Sequence, residues 1–213
     1  QETVLTLEDG RFITVSDLNP LLYAIKSKSQ GCVKYLFEKF SNMSARELMQ
    51  VTEQPTRICG CTFTSLVLPL ILLNHDLDSL NFLAKHISFV VTIEDIKSFL
   101  NWAIRDKWIT GAKAFLQTSA VYIAYQSTSD LAAQKDFIET IFTYIHKIED
   151  LKQRRAFSIA LVEDTLTRKP FTKVLALLLL DSSSFLRDEK NSWFDLSKLA
   201  RECLKNLTGE DLR

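Results

Sequence analysis

Apolar residues along this chain fall mostly at helical spacing, in short stripes separated by polar turns. The clearest pair lies between Asn19 and Phe40, where Leu21, Leu22, Ala24 and Ile25 form one stripe and Cys32, Val33, Leu36 and Phe37 a second, with Lys26 to Gln30 polar between them. Asn19 is a capping residue, and Pro20 takes the first helical position, where its missing N–H costs nothing. This pattern predicts a helical hairpin.

The rest of the chain is read in the same way. Val4, Leu5 and Leu7, a turn signal at Asp9-Gly10, and Arg11 to Val15 fit a short β-hairpin or extended arm, with a lead-in helix as the competing reading. Ser44 and Glu47 form a capping-box pair that predicts a helix over 44–53, followed by a loop from Gln54 to Cys61. Phe63 to Ile87 predicts a second helical pair that turns near Asn74-His75-Asp76. Thr92 to Asp95 caps a third, with Ile96, Phe99, Leu100, Ala103 and Ile104 on its first helix and Gly111 to Leu116 on its second. Leu80 to Leu83 lies 47 residues after Val33 to Leu36, and Gly111 to Leu116 lies 33 residues after Asp78 to Leu83. Further helices are expected after Ser129-Asp130, from Asp150 to Glu163, from Pro170 to Leu180, and from Asp195 to Leu207, the last covering the open end of the chain.

The order of residues in the first pair resembles the ankyrin repeat. Asn19-Pro20-Leu21 stands where Thr-Pro-Leu usually stands, Ala24-Ile25 where Ala-Ala stands, and Val33 to Glu38 where Val-Val-Lys-Leu-Leu-Leu-Glu runs; a spacing of 33 is the ankyrin period. Lys28 departs from the pattern by standing where the consensus has the glycine that ends the first helix. The resemblance implies an all-α fold of stacked antiparallel helix pairs, ankyrin-like over 16–118 with an inserted helix near 44–53 and more divergent over 129–213. A generic α-solenoid of longer helix pairs is the alternative. It also implies a scaffold or adaptor that binds a protein partner through loop tips and the exposed face of each first helix, here Lys26, Ser27, Asn74, Asp106 and Lys107. Trp108, near a turn between two helices, is expected to be partly exposed there and to anchor a partner.

Composition narrows the chemistry. Of 213 residues 46% are hydrophobic and 24% charged, enough for a sizeable core. Basic and acidic side chains balance at 26 each, so no global field draws in nucleic acid or an acidic membrane. The five glycines are widely separated, and no phosphate-cradling loop, nucleophile elbow or His-Glu-x-x-His motif occurs. No catalytic residue and no cofactor is therefore expected, leaving as rivals a divergent effector-type enzyme with an unrecognised site and an obligate structural subunit using Leu66 to Leu73 or Val174 to Leu180. Both runs fall far short of the ~18 residues of a spanning helix.

Three smaller signals complete the reading. Cys59-Gly60-Cys61 with His75 or His86 has the wrong spacing for zinc, so no metal is expected, and four cysteines without a regular framework suggest a reducing, intracellular and cytoplasmic setting. His75, His86 and His146 each fall near a predicted helix end, where an imidazolium suits the last carbonyls. Between Ile141 and Lys173 seven basic residues face four acidic ones, a local excess better explained by solvated helix ends than by a nucleic-acid patch. The chain opens on Gln1 with no methionine or signal-peptide pattern, as expected of a piece of a longer protein.

Overall fold

The computed structural model describes residues 3–6, 12–14, 19–40, 43, 44, 47, 51–85, 91–128, 130–166, 171–180, 201 and 203–205. These residues are mostly helical and fall into two compact units, 1–124 and 125–213.

The first unit opens with an antiparallel pair, β1 (Thr3–Thr6) and β2 (Phe12–Thr14), in the place where the alternating pattern and Asp9-Gly10 predict one. Helices α1 (Pro20–Lys26) and α2 (Gln30–Lys39) form the expected hairpin. The Asn19 carboxamide oxygen accepts the Leu22 N–H at 2.9 Å, which satisfies one of the donors a helix start leaves open.

The next segment corrects the sequence reading. The Ser44–Glu47 capping pair is present, with the Glu47 carboxylate accepting from the Ser44 N–H and hydroxyl. From Val51, however, the chain is extended. Strands β3 (Val51–Ile58) and β4 (Cys61–Ser65) pair antiparallel where the sequence predicts the end of a helix and then a loop. Cys59 and Gly60 turn the hairpin with φ of 51° and 76°, the left-handed pair that a tight hairpin turn requires. Along β4, Cys61, Phe63 and Ser65 are buried while Thr62 and Thr64 between them are half-buried, the period of two that marks a strand. The predicted second helix therefore starts only at Val67.

Helices α3 (Val67–Asn74) and α4 (Leu77–Leu83) form the second pair, and α5 (Ile93–Arg105) and α6 (Ile109–Leu116) the third. Pro69 sits within the first turn of α3, where no intrahelical N–H is needed. The first helices pack in sequence, α1 on α3 and α3 on α5, and so do the second helices, α2 on α4 and α4 on α6. The apolar run Leu66 to Leu72 is buried among them.

The β3–β4 hairpin docks on α5, which meets β4's outer edge with side chains. The Thr62 N–H donates to the Ser98 hydroxyl at 3.0 Å, and the Thr64 N–H to Asp95 Oδ1 at 2.7 Å. Asp95 is fully buried. Its Oδ2 accepts from the Thr64 hydroxyl at 2.5 Å and from the Thr92 N–H and hydroxyl at 2.9 and 2.8 Å. One carboxylate thus completes the capping box of α5 and closes a strand edge that would otherwise be open to pairing. At the far end of the hairpin the Arg105 guanidinium donates to the Cys59 carbonyl at 2.9 Å.

Helix α7 (Ser119–Gln126), which the repeat pattern does not foreshadow, contains the boundary between the units. In the second unit, α8 (Leu131–His146) and α9 (Leu151–Ala160) are capped by Asp130 and Asp150, the first of them expected, and α9 continues as a π-helical segment over Leu161–Leu166. Helix α10 (Thr172–Leu180) packs on α8. Phe171 meets the Tyr125 ring at 4.2 Å. Of the predicted last helix, Arg201 and Cys203 to Lys205 are helical; the remainder, with His86, Ile87, Ser129, Arg168, Lys169 and Pro170, lies outside the described residues. Among the described residues no helix is long and apolar enough to cross a membrane.

Candidate functional site

The three helical hairpins of the first unit turn in the same way. Lys28, His75 and Lys107 adopt left-handed backbone conformations, with φ of 54°, 48° and 60°. In each turn the left-handed residue donates its N–H back three residues, Lys28 to Ile25, His75 to Leu72 and Lys107 to Ile104. The residue after it donates back five, Ser29 to Ala24, Asp76 to Ile71 and Trp108 to Ala103. This is the Schellman closure, which usually places glycine at the left-handed position.

The turns also correct the repeat register. Lys28 and His75 are 47 residues apart, as the sequence echo has it, but His75 and Lys107 are 32 apart rather than 33. At a spacing of 32, Leu80 and Leu83 correspond to Ala112 and Phe115, all buried. At 33, Leu80 would correspond to Lys113, which is exposed. The β3–β4 hairpin, 15 residues long, accounts for the difference between the two spacings.

Successive turns are tied together. The Asn74 carboxamide donates to the Ile25 and Lys26 carbonyls at 2.9 and 3.0 Å, joining the second turn to the end of α1. The His75 imidazole stacks on the Trp108 indole, centroids 5.1 Å apart and planes 9° from parallel, joining the second turn to the third. No protein-family model, curated protein or solved structure matches the chain. The edge is therefore read from its own geometry.

Of the residues singled out in the sequence, Lys26 is half-buried at the end of α1, and Ser27 and Lys107 are exposed on the turns. Asn74 faces inward to the α1 carbonyls, so its amide is engaged within the fold. Asp106 is exposed, but its Oδ2 accepts the Trp102 indole N–H at 2.6 Å and its Oδ1 lies 3.6 Å from Arg105 Nε. Trp108 corrects the expectation of a partly exposed anchor: only 8% of its surface is accessible. The reason is its close seat on α6, where three indole atoms lie 2.3–2.4 Å from the point a Cβ on Gly111 would occupy.

The left-handed residues Lys28, His75 and Lys107 also face outward on the edge, all exposed. Two of them, Lys28 and His75, are absent from the expected surface. Their signal in the sequence is weak, because none is a glycine and a lysine in a polar turn looks like any solvated residue. Cys59 is exposed and Cys61 buried on the hairpin turn. Among the described residues no group of three or more His, Cys, Asp or Glu is placed to hold a metal ion.

Proposed function

We propose that the chain is a protein-binding module of ankyrin-like helix pairs, acting as a scaffold or adaptor, and that its partner docks along the row of turns carrying Lys28, His75 and Lys107. The observation that carries this reading is the row itself: three turns of one geometry, cross-tied by Asn74 and by the His75–Trp108 stack, present three side chains on a braced frame. A preorganised edge loses little freedom on binding, which favours affinity from few contacts. Two of the three left-handed side chains are lysines, and the exposed Asp106 is engaged by Trp102 and Arg105, so the complementary surface is acidic.

The test compares native chain with the double variant Lys28→Glu, Lys107→Glu in affinity capture from extracts of the cells that make it. Helix content and thermal midpoint are expected to stay unchanged, with the midpoint within a degree or two, since both positions are surface sites. A partner held by the native chain and lost by the variant supports this edge; a partner held equally by both rejects it.

A further inference from the structure

Away from the turns, the two second helices α2 and α4 leave a groove of about 300 Å³ between them, at the lower end of the size of small-ligand sites. Among its lining residues the Gln30 carboxamide donates to the Asp78 carboxylate. Phe82 lines it, edge-on to Phe37 with centroids 5.6 Å apart. Ser79 also borders the groove, 2% exposed, with its hydroxyl oxygen buried beneath the surface. The open side carries Lys34, Asn81 and Lys85, all exposed.

We infer that this groove binds a phosphomonoester, an oxyanion head carried on a short flat or apolar stem. Two ammonium groups and the Asn81 carboxamide supply more donors than a single carboxylate can accept, whereas a phosphate offers three strong acceptor oxygens. The two lysines outnumber the one aspartate on the lining, and that aspartate is already engaged by Gln30. The Phe82 ring suits the stem. The inference stands apart from the turn edge, since none of its residues belongs to that row.

Isotope-labelled full-length chain titrated with phenyl phosphate, inorganic phosphate and benzoate, followed by amide NMR, tests it. Saturable shifts at Lys34, Ser79, Asn81 and Lys85 are expected with phenyl phosphate, weaker ones with inorganic phosphate, and the weakest with benzoate. Lys34→Glu and Lys85→Glu are each expected to weaken phenyl phosphate binding by about tenfold or more. Thermal midpoints of the lysine variants should stay unchanged. A phosphotyrosine peptide binding more tightly than phenyl phosphate assigns the head group to a modified protein; equal affinity assigns it to a free small molecule. Shifts that do not saturate, that scatter over the surface, or that survive both lysine variants overturn the inference.

Discussion

The Trp108 indole lies flat against the His75 imidazole, 9° from parallel, with the Phe99 ring centroid 6.0 Å away and Gly111 leaving the space its ring fills. Through this stack the turn after α5 is fixed to the turn after α3. The residue expected to reach out to a partner is the one that holds two turns in line.

Gly111 is accordingly expected to reverse the usual effect of removing a helix glycine. Gly111→Ala should lower stability by about 1–3 kcal/mol, because the new methyl meets the indole rather than flexible chain ends. Gly31→Ala, at an exposed site with nothing within 4 Å of the new Cβ, should raise it by about 0.5–1 kcal/mol. Urea denaturation of the two variants reads the sign, and a stabilised Gly111→Ala would refute the close seat of Trp108.

Asp95 joins the start of α5 to β4 through its four accepted bonds. Asp95→Ala removes the acceptor that all four bonds share and is expected to cost about 1–3 kcal/mol. Hydrogen exchange should show the loss centred on Thr64 and Thr92. A loss confined to α5, with the hairpin amides as protected as before, would mean that the carboxylate does not hold the strand.

Asn74 distinguishes a brace from a contact residue. Asn74→Ala should lower stability by about 1–2 kcal/mol by removing the two bonds to the Ile25 and Lys26 carbonyls. Asn74→Asp should do more harm, since a carboxylate there faces two carbonyls at a helix C-terminus. Equal melting temperatures for native chain and Asp variant would exclude the brace.

The hairpin cysteines are expected to separate by reactivity. Burial pushes the Cys61 thiol up, partly offset by the nearby Arg105 charge and by the Asn101 amide that donates to its sulfur at 3.8 Å. Iodoacetamide at about pH 8 should modify exposed Cys59 and Cys32 and spare Cys61 and Cys203 in the folded chain, since the accessible thiolate is the reactive form. Mass spectrometry of digests measures this; rapid labelling of Cys61 would show that β4 is not docked on α5.

Local chemistry settled much of this structure in advance. Asn19 with Pro20, Thr92 with Asp95, Asp130 and Asp150 each satisfy backbone donors within a few residues, so short spacing alone places those helix starts. Most of the buried stripes of the first three pairs follow equally from helical periodicity, although Cys32, expected on the apolar face of α2, is exposed. Distant contacts decided the rest. The β3–β4 hairpin rests on Ser98 and Asp95, 36 and 31 residues from the amides they accept, and a segment of mixed Thr, Glu, Gln and Pro carries no local mark of such support. The candidate edge divides in the same way: its turn positions are set by the apolar pattern. That Asn74 and Trp108 turn inward while Lys28 and His75 face out depends on carbonyls, a ring and a glycine brought together only by packing neighbouring pairs.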